Sequence, residues 1–302
     1  MRARRSAVRA VRAVRAVRQS EPASRLGGSA VQRHLVFEAA GISHPGMVRD
    51  TNEDSFAILE PRGLFLVADG MGGRAAGEVA SRMAIDTVRD FFDDPESTWP
   101  VAVSVGPATV RGSDARYVDQ GLPLLVAGIQ LANGRIFSAA RRDREKRGMG
   151  TTFVAALARD GFVAIAHVGD SRVYRLRDHR LEQLTRDHSL VNECIRLGHL
   201  LPEQASSFPL QHVITRALGT DEAVEVETRI DAIESGDVLL LCSDGLSGVV
   251  PAQDIASILE ERLEPGEIAA RLVKRANENG GPDNVTCVVV RWRAAPDGAP
   301  RR

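Results

Sequence analysis

From His34 onward the chain alternates short apolar runs with longer amphipathic stretches. The runs at 55–59, 63–68, 151–159, 162–168, 171–177, 224–230, 237–242 and 285–292 have the length of strands, and most are followed at once by Asp or Gly. Apolar residues recur with helical spacing at 76–92, 124–146, 188–198, 251–262 and 266–279. Between 151 and 177 the runs follow one another across turns too short for a helical crossover, so those strands must be antiparallel. A doubly wound parallel sheet is thereby excluded. Two antiparallel sheets packed together, with helix pairs on the outside, accommodate this order of elements.

Residues 1–33 break from the pattern. An R-A-V repeat between Arg9 and Arg18 puts a basic residue at every third position, which rotates around a helix instead of forming one face. A disordered basic tail is expected; an organelle transit peptide or a segment touching phosphates or anionic lipid are the competing readings. The globular domain is expected to span 34–294, with a short disordered tail at 295–302. Because 1–33 precedes every core-forming run, its removal is expected to leave the melting temperature and the generic activity of the domain nearly unchanged. A large drop in melting temperature on truncation would show that the tail packs on the domain. Residues 93–123 lack periodicity and form a long connection between two helices, which is uncommon unless functional or mobile.

Charge changes this picture only locally. The formal net charge of the 302 residues is −1, which gives no overall pull toward nucleic acid or membrane. The nine arginines of 1–33 face only Glu21, so the rest of the chain carries about −9. An acidic body suits a site that gathers cations. Cys194, Cys242 and Cys287 are odd in number, far apart and without a C-x-x-C, so neither a disulfide framework nor a zinc site is indicated, and a reducing cytoplasm is expected. No apolar run reaches the ~18–20 residues of a membrane span.

Chemistry enters where apolar runs meet acids. LFLVAD, IAHVGD and LLLCSD carry an apolar run into Asp69, Asp170 and Asp244, and Asp283 stands in G-P-D-N just before another run. Any one Asp-Gly after a strand is most simply a turn. Repetition of the same ending favours convergence on one spot. Two carboxylates ~4 Å apart repel by ~4 kcal/mol at an effective dielectric of ~20, so several cannot remain ionised together without cations. Oxygen ligands of this kind select Mg²⁺ or Mn²⁺ over zinc. Gly70 and Gly245 would let backbone approach a metal closely. In R-D-T-N-E-D, Arg49 can offer a planar fork to a phosphate while Glu53 and Asp54 add ligands for metal or water, although alone this segment reads as a solvated turn.

Taken in order, R-D-T-N-E-D, V-A-D-G-M-G-G, G-M-G-T-T, H-V-G-D-S-R, I-T-R-A-L-G, C-S-D-G-L and G-P-D-N resemble the type 2C metal-dependent serine/threonine protein phosphatases, above all compact bacterial members, over about residues 40–292. The resemblance implies an α+β fold, a four-layer αββα sandwich, with a binuclear Mn²⁺ or Mg²⁺ centre between the sheets. It implies that Asp69 bridges the two ions, with Asp244 and Asp283 on one and Glu53 and the Gly70 carbonyl on the other. Asp54 would orient the attacking water, Arg49 would bind substrate phosphate, and Asp170 with Asp244 would hold a third, weaker ion. Thr185 to about Gln211 corresponds to the family's mobile flap. Phosphorylated proteins, including a serine/threonine kinase, are the partners implied, and a monomer is expected. Met71 stands where better-known animal members carry a candidate histidine acid, so proton delivery to the leaving alkoxide is left unassigned. His188, in T-R-D-H-S, reads as a surface histidine.

Cys287 and Arg293 have the C-x5-R spacing of cysteine-dependent phosphatases, but a strand-like V-V-V-R-W separates them where that chemistry needs a glycine-rich loop. A catalytically inactive phosphatase-like binding or sensor module is the remaining alternative. Such a module should lack a metal carboxylate, and every position is filled.

Overall fold

The computed structural model describes residues 35–72, 76–93, 109–110, 121–159, 161–210 and 212–295. The tail expected at 1–33, most of 93–123 and all but the first residue of 295–302 lie outside them. Two sheets form the centre. The first runs β1 (Leu35–His44), β12 (Val285–Ala294), β11 (Val238–Cys242), β8 (Arg172–Arg177) and β9 (Arg180–Gln183), antiparallel throughout. The second runs β2 (Asp54–Leu59), β3 (Leu64–Met71), β6 (Phe153–Arg159), β7 (Phe162–Val168), β10 (Glu227–Ala232) and β4 (Thr109–Val110), antiparallel except for the last pair. A two-residue β5 (Gly150–Thr151) pairs with the end of β3.

Helices α1 (Ala76–Asp93) and α2 (Leu122–Arg142) cover the outer face of the second sheet. On the first sheet lie α4 (Asp244–Ser247), α5 (Ala252–Leu259) and α6 (Pro265–Glu278). A short α3 (Leu190–Arg196) sits in the 185–211 segment. The result is the expected αββα order, and the strand pattern shows why. Along β3, Leu64, Leu66 and Ala68 pack under α1 and α2, while Phe65 and Val67 point into the space between the sheets. Both faces are buried, so the run reads as continuously apolar instead of alternating. Phe65 meets Phe37 and Trp292 between the sheets, with ring centroids 5.3 and 6.4 Å away. Burying each such side chain contributes about 1.5–3 kcal/mol.

Several expectations need correction. Strand β1 has no counterpart among the expected runs, because Ala39, Ala40 and Gly41 carry no β-branched signal. Gly41 is nonetheless required: an added Cβ would lie 2.5 Å from the Phe56 ring. Strand β9 (RLEQ) is likewise absent from the expected runs, since it lies at the sheet edge with only partial burial. Helix α2 has 21 residues with a window of mean hydropathy 1.2, long and apolar enough to cross a membrane by length and composition. It packs instead against α1 and the sheet through Leu125, Ile129, Ala132 and Ile136, which makes it a core helix. Cys242 and Cys287, distant in sequence, are facing residues of β11 and β12 and carry free, buried thiols.

Candidate metal centre

The carboxylates meet at one end of the two sheets, although not all at strand ends. Asp69 lies inside β3, which continues past its pairing with β6 to pair Gly70 with Thr151 and Met71 with Gly150. Directly opposite Asp69, across the β2–β3 ladder, stands Asp54. From the other sheet Asp244 arrives as the first residue of α4, two residues beyond the end of β11. Asp170 follows β7 after Gly169, and Asp283 precedes β12. Glu53 immediately precedes β2.

Their electrostatics show how closely they crowd. Asp69 is pushed well above the ordinary carboxylate range, by burial first and then by Asp54, Asp244 and Asp170. Asp69 and Asp244 approach within hydrogen-bonding reach of each other, and Asp244 is also raised, chiefly by burial and by Asp283. Burial raises Asp54 to about 7 against the hydrogen bonds that stabilise its charge, with Asp244 and Asp283 adding to the rise. Asp170 also rises to about 7, through burial, Asp244 and Asp187. Glu53 is raised by burial, opposed by Arg49.

Two atoms give the cluster an aim. Asp54 uses Oδ2 to accept a 2.8 Å bond from the Ser243 hydroxyl, while its buried Oδ1 has no partner. Asp170 Oδ1 is likewise buried and unpartnered. Buried carboxylate oxygens without donors are costly, and cations remove the cost. Gly70 fits the same need: a Cβ there would overlap the Gly77 carbonyl and lie 2.6 Å from that of Glu53, so only glycine brings this backbone so close to its neighbours. The Gly70 N–H donates to the Glu53 carbonyl at 3.2 Å, which ties β3 to the Glu53 loop. The donor set is all oxygen, drawn from four or more carboxylates, and suits hard divalent cations.

Arg49 is exposed and donates through one terminal nitrogen to Asp283 Oδ2 at 2.8 Å. It therefore stands at the rim of the cluster.

Three residues that the motifs contained without an assigned role hold this arrangement together. Asn284 accepts from the Glu53 N–H at 2.8 Å and donates to the carbonyls of Thr51 (2.8 Å) and Pro45 (3.1 Å), fixing the Arg49–Glu53 loop. Ser243 bonds Asp54 and accepts from the Thr286 N–H at 3.0 Å. Thr152 receives the Asp69 N–H on its hydroxyl at 3.1 Å and donates its own N–H to the Asp69 carbonyl at 2.8 Å. The available signal was position, since each lies within one to three residues, or one ladder step, of a motif acid.

His188 is corrected outright. It is 6 % exposed, not a surface residue. Its ring stacks on that of His167 with centroids 4.7 Å apart, and with Glu227 the two histidines place ligand-type atoms within 4.8 Å of one another. Three of the four ring nitrogens are already engaged, however: His167 Nε2 with the Arg186 carbonyl at 2.9 Å, His188 Nδ1 with the Gly169 N–H at 3.1 Å, and His188 Nε2 with Glu227 at 3.3 Å. Near-parallel rings also cannot aim two lone pairs at one ion. Cys287 is no nucleophile either, because it is fully buried beneath α6 and burial pushes its thiol far up.

This two-sheet frame with acids at one end has clear relatives. The Protein phosphatase 2C family profile matches residues 47–277, and the chain belongs to that family. It is 38% identical over 248 residues to the serine/threonine phosphatase stp of Listeria monocytogenes, covering 81% of this chain and 92% of that protein. The catalytic domain of the serine/threonine protein phosphatase PstP, solved in complex with two manganese ions, superposes with a TM-score of 0.70 at 37% identity, covering 86% of this chain and 99% of that one. Stp1 from Staphylococcus aureus gives 0.74 at 31% identity, with 88% and 99% covered.

Proposed function

We propose that this protein hydrolyses phosphoserine and phosphothreonine esters on proteins with the help of Mn²⁺ or Mg²⁺, two ions held firmly and a third more weakly. The convergence of Asp54, Asp69, Asp170 and Asp244, all with raised affinity for protons, carries the proposal. A cluster that favours protons this strongly in the absence of cations also favours cations. Asp69 would serve two ions, with Asp244 and Asp283 beside one and Glu53 and the Gly70 carbonyl beside the other; Asp170 and Asp244 would hold the third. Divalent cations bound there supply the Lewis acidity and positive charge that phosphate ester hydrolysis requires.

The chain's own groups then do the rest. The unpartnered Oδ1 of Asp54 can accept a hydrogen bond from an attacking water and orient it, while Ser243 holds the other oxygen in place. Arg49 can turn its guanidinium from Asp283 to the substrate phosphate. Met71 has no proton to give. An inactive sensor module would be expected to lack one of these carboxylates, and none is missing. The reading further places the protein in the cytoplasm, as a monomer, opposing a serine/threonine kinase.

The test is hydrolysis of a phosphothreonine peptide with added Mn²⁺, expected to cease in chelator. Full activity in chelator together with loss on thiol alkylation would overturn the proposal. For Arg49→Ala the metal cluster stays complete and one charge-assisted contact goes, so kcat/KM should fall by ~10- to 100-fold, or ~1.5–3 kcal/mol. Mn²⁺ titration of that variant should match wild type; loss of metal binding would show that Arg49 organises the cluster instead.

A further inference from the structure

Asp170 presents a puzzle of support. Its own Oδ1 has no partner, yet its neighbours on both sides are held tightly. Ser171 shares a 2.7 Å hydroxyl contact with Thr152, the residue bonded to Asp69. Arg172 is gripped by Asp187 through Nε at 2.9 Å and a terminal nitrogen at 2.6 Å. On the other side, Gly169 is held by His188 twice: its N–H donates to His188 Nδ1 at 3.1 Å, and its carbonyl accepts the His188 N–H at 2.9 Å. Gly169 adopts φ +103°, and a Cβ there would lie 2.7 Å from the Thr152 side chain, so this peptide has one available course.

We infer that His188 is a positioning residue that fixes the Gly169–Asp170 turn, and with it the Asp170 carboxylate, to the root of the 185–211 segment. The ring chemistry is specified by its partners. Since Nδ1 accepts from Gly169, it carries no proton, and Nε2 must carry the one that is donated to Glu227. Glu227 is held ionised, down to about 2, first by that bond with His188 and then, against burial, by the Arg186 guanidinium. His167 lies flat against the ring as a neutral partner, lowered to about 4 chiefly by burial.

Around His188 the start of the segment is tied to the residues just beyond its end. The Thr215 N–H donates to the His188 carbonyl at 2.8 Å, the Leu190 N–H to the Val213 carbonyl at 2.8 Å, and Ser189 bridges Ile214. A shift of the segment's root is therefore passed to the peptide that carries Asp170. The role of Asp170 in holding an ion rests on the function proposed above, whereas the clamp on Gly169 does not.

Two substitutions separate the two ring nitrogens. In His188→Asn, Oδ1 stands where Nδ1 does and can still accept from Gly169. In His188→Gln, the amide nitrogen reaches the Nε2 position and can still donate to Glu227, but nothing faces Gly169. Amide exchange at Gly169 should accelerate by ~10-fold or more in His188→Gln and stay near wild type in His188→Asn. Calorimetry with Mn²⁺ should show the weakest binding event, the one removed by Asp170→Asn, loosened by up to ~10-fold in His188→Gln with the tight events unchanged. In wild type, nitrogen NMR of the His188 ring should show Nδ1 bare and Nε2 protonated at neutral pH, a measurement that needs no variant to fold. A proton on Nδ1, or equal effects of Asn and Gln on Gly169 exchange, would overturn the inference. If instead Asp170→Asn leaves every Mn²⁺ event intact, Asp170 is no ligand and the third-ion assignment falls, while Gly169 exchange still decides the clamp.

Discussion

Asp69→Asn is expected to abolish turnover and, at the same time, to raise the melting temperature of the metal-free protein. The two effects have one cause. Asp69 faces Asp54 across the strand pair and approaches Asp244 within hydrogen-bonding reach, so without cations its charge costs free energy, which shows as a strong preference for the protonated form. An amide of the same shape removes that repulsion and keeps the packing. In the presence of Mn²⁺ the balance reverses, because the carboxylate shared by two ions is gone. Activity should fall by well over the ~100-fold typical of changes merely adjacent to a metal site. The stabilisation that Mn²⁺ confers should shrink, since a ligand stabilises only in proportion to its binding to the folded state. Differential scanning calorimetry with and without chelator, beside Mn²⁺ titration and steady-state kinetics, reads all three quantities. If the variant binds two Mn²⁺ with native affinity, or if its metal-free form melts lower than wild type, Asp69 does not play the bridging part.

In chelator, the wild-type protein is expected to become more stable as the pH is lowered from about 7.5 to about 5, against the usual tendency of acid to destabilise. Asp54 and Asp170 titrate at about 7 in the folded protein, against 3.8 for an ordinary aspartate in the unfolded chain, and Asp69 too is raised well above that value. The folded state therefore binds more protons than the unfolded state between those limits. Stability from these groups is fully present below the unfolded value and is lost as pH rises through the folded one. Every tenfold gain in proton affinity on folding corresponds to ~1.4 kcal/mol before coupling between the groups reduces the total, so a change on the order of 10 °C is expected. Saturating Mn²⁺ should abolish the trend above neutral pH, since the cations then take the place of the protons. Parallel pH profiles that do not differ between chelator and Mn²⁺ would show that the acids do not act as one cluster.

Much of this protein was legible in its residue order. Short turns between the runs from 151 to 177 required antiparallel strands, and strand and helix positions came out within a few residues for most elements. The acids could be picked out because an aspartate at the end of LFLVA, IAHVG or LLLCS contradicts its apolar surroundings, and such conflict marks function. Periodicity was silent about other things. A run buried on both faces looks the same whichever sheet it joins, so the division of Phe65 and Leu66 between two cores was decided only by packing. Asp69 sits within its strand and not at its end, because β3 outruns β6 and finds β5 to pair with, a contact set by chain reversal over eighty residues away.

His188 shows the same limit most clearly. Between Asp187 and Ser189 it looked like one more polar residue of an exposed segment. Its burial is conferred by groups from other elements, His167 on β7, Glu227 on β10 and the Gly169 peptide, each remote in sequence and adjacent only once the strands pair. The sequence by itself determined which residue types could hold cations and roughly where the strands that carry them lie. Tertiary structure alone decided which polar side chains lose their water, and so which of them must find partners inside the fold, because desolvation depends on what packs against a residue and not on what precedes it.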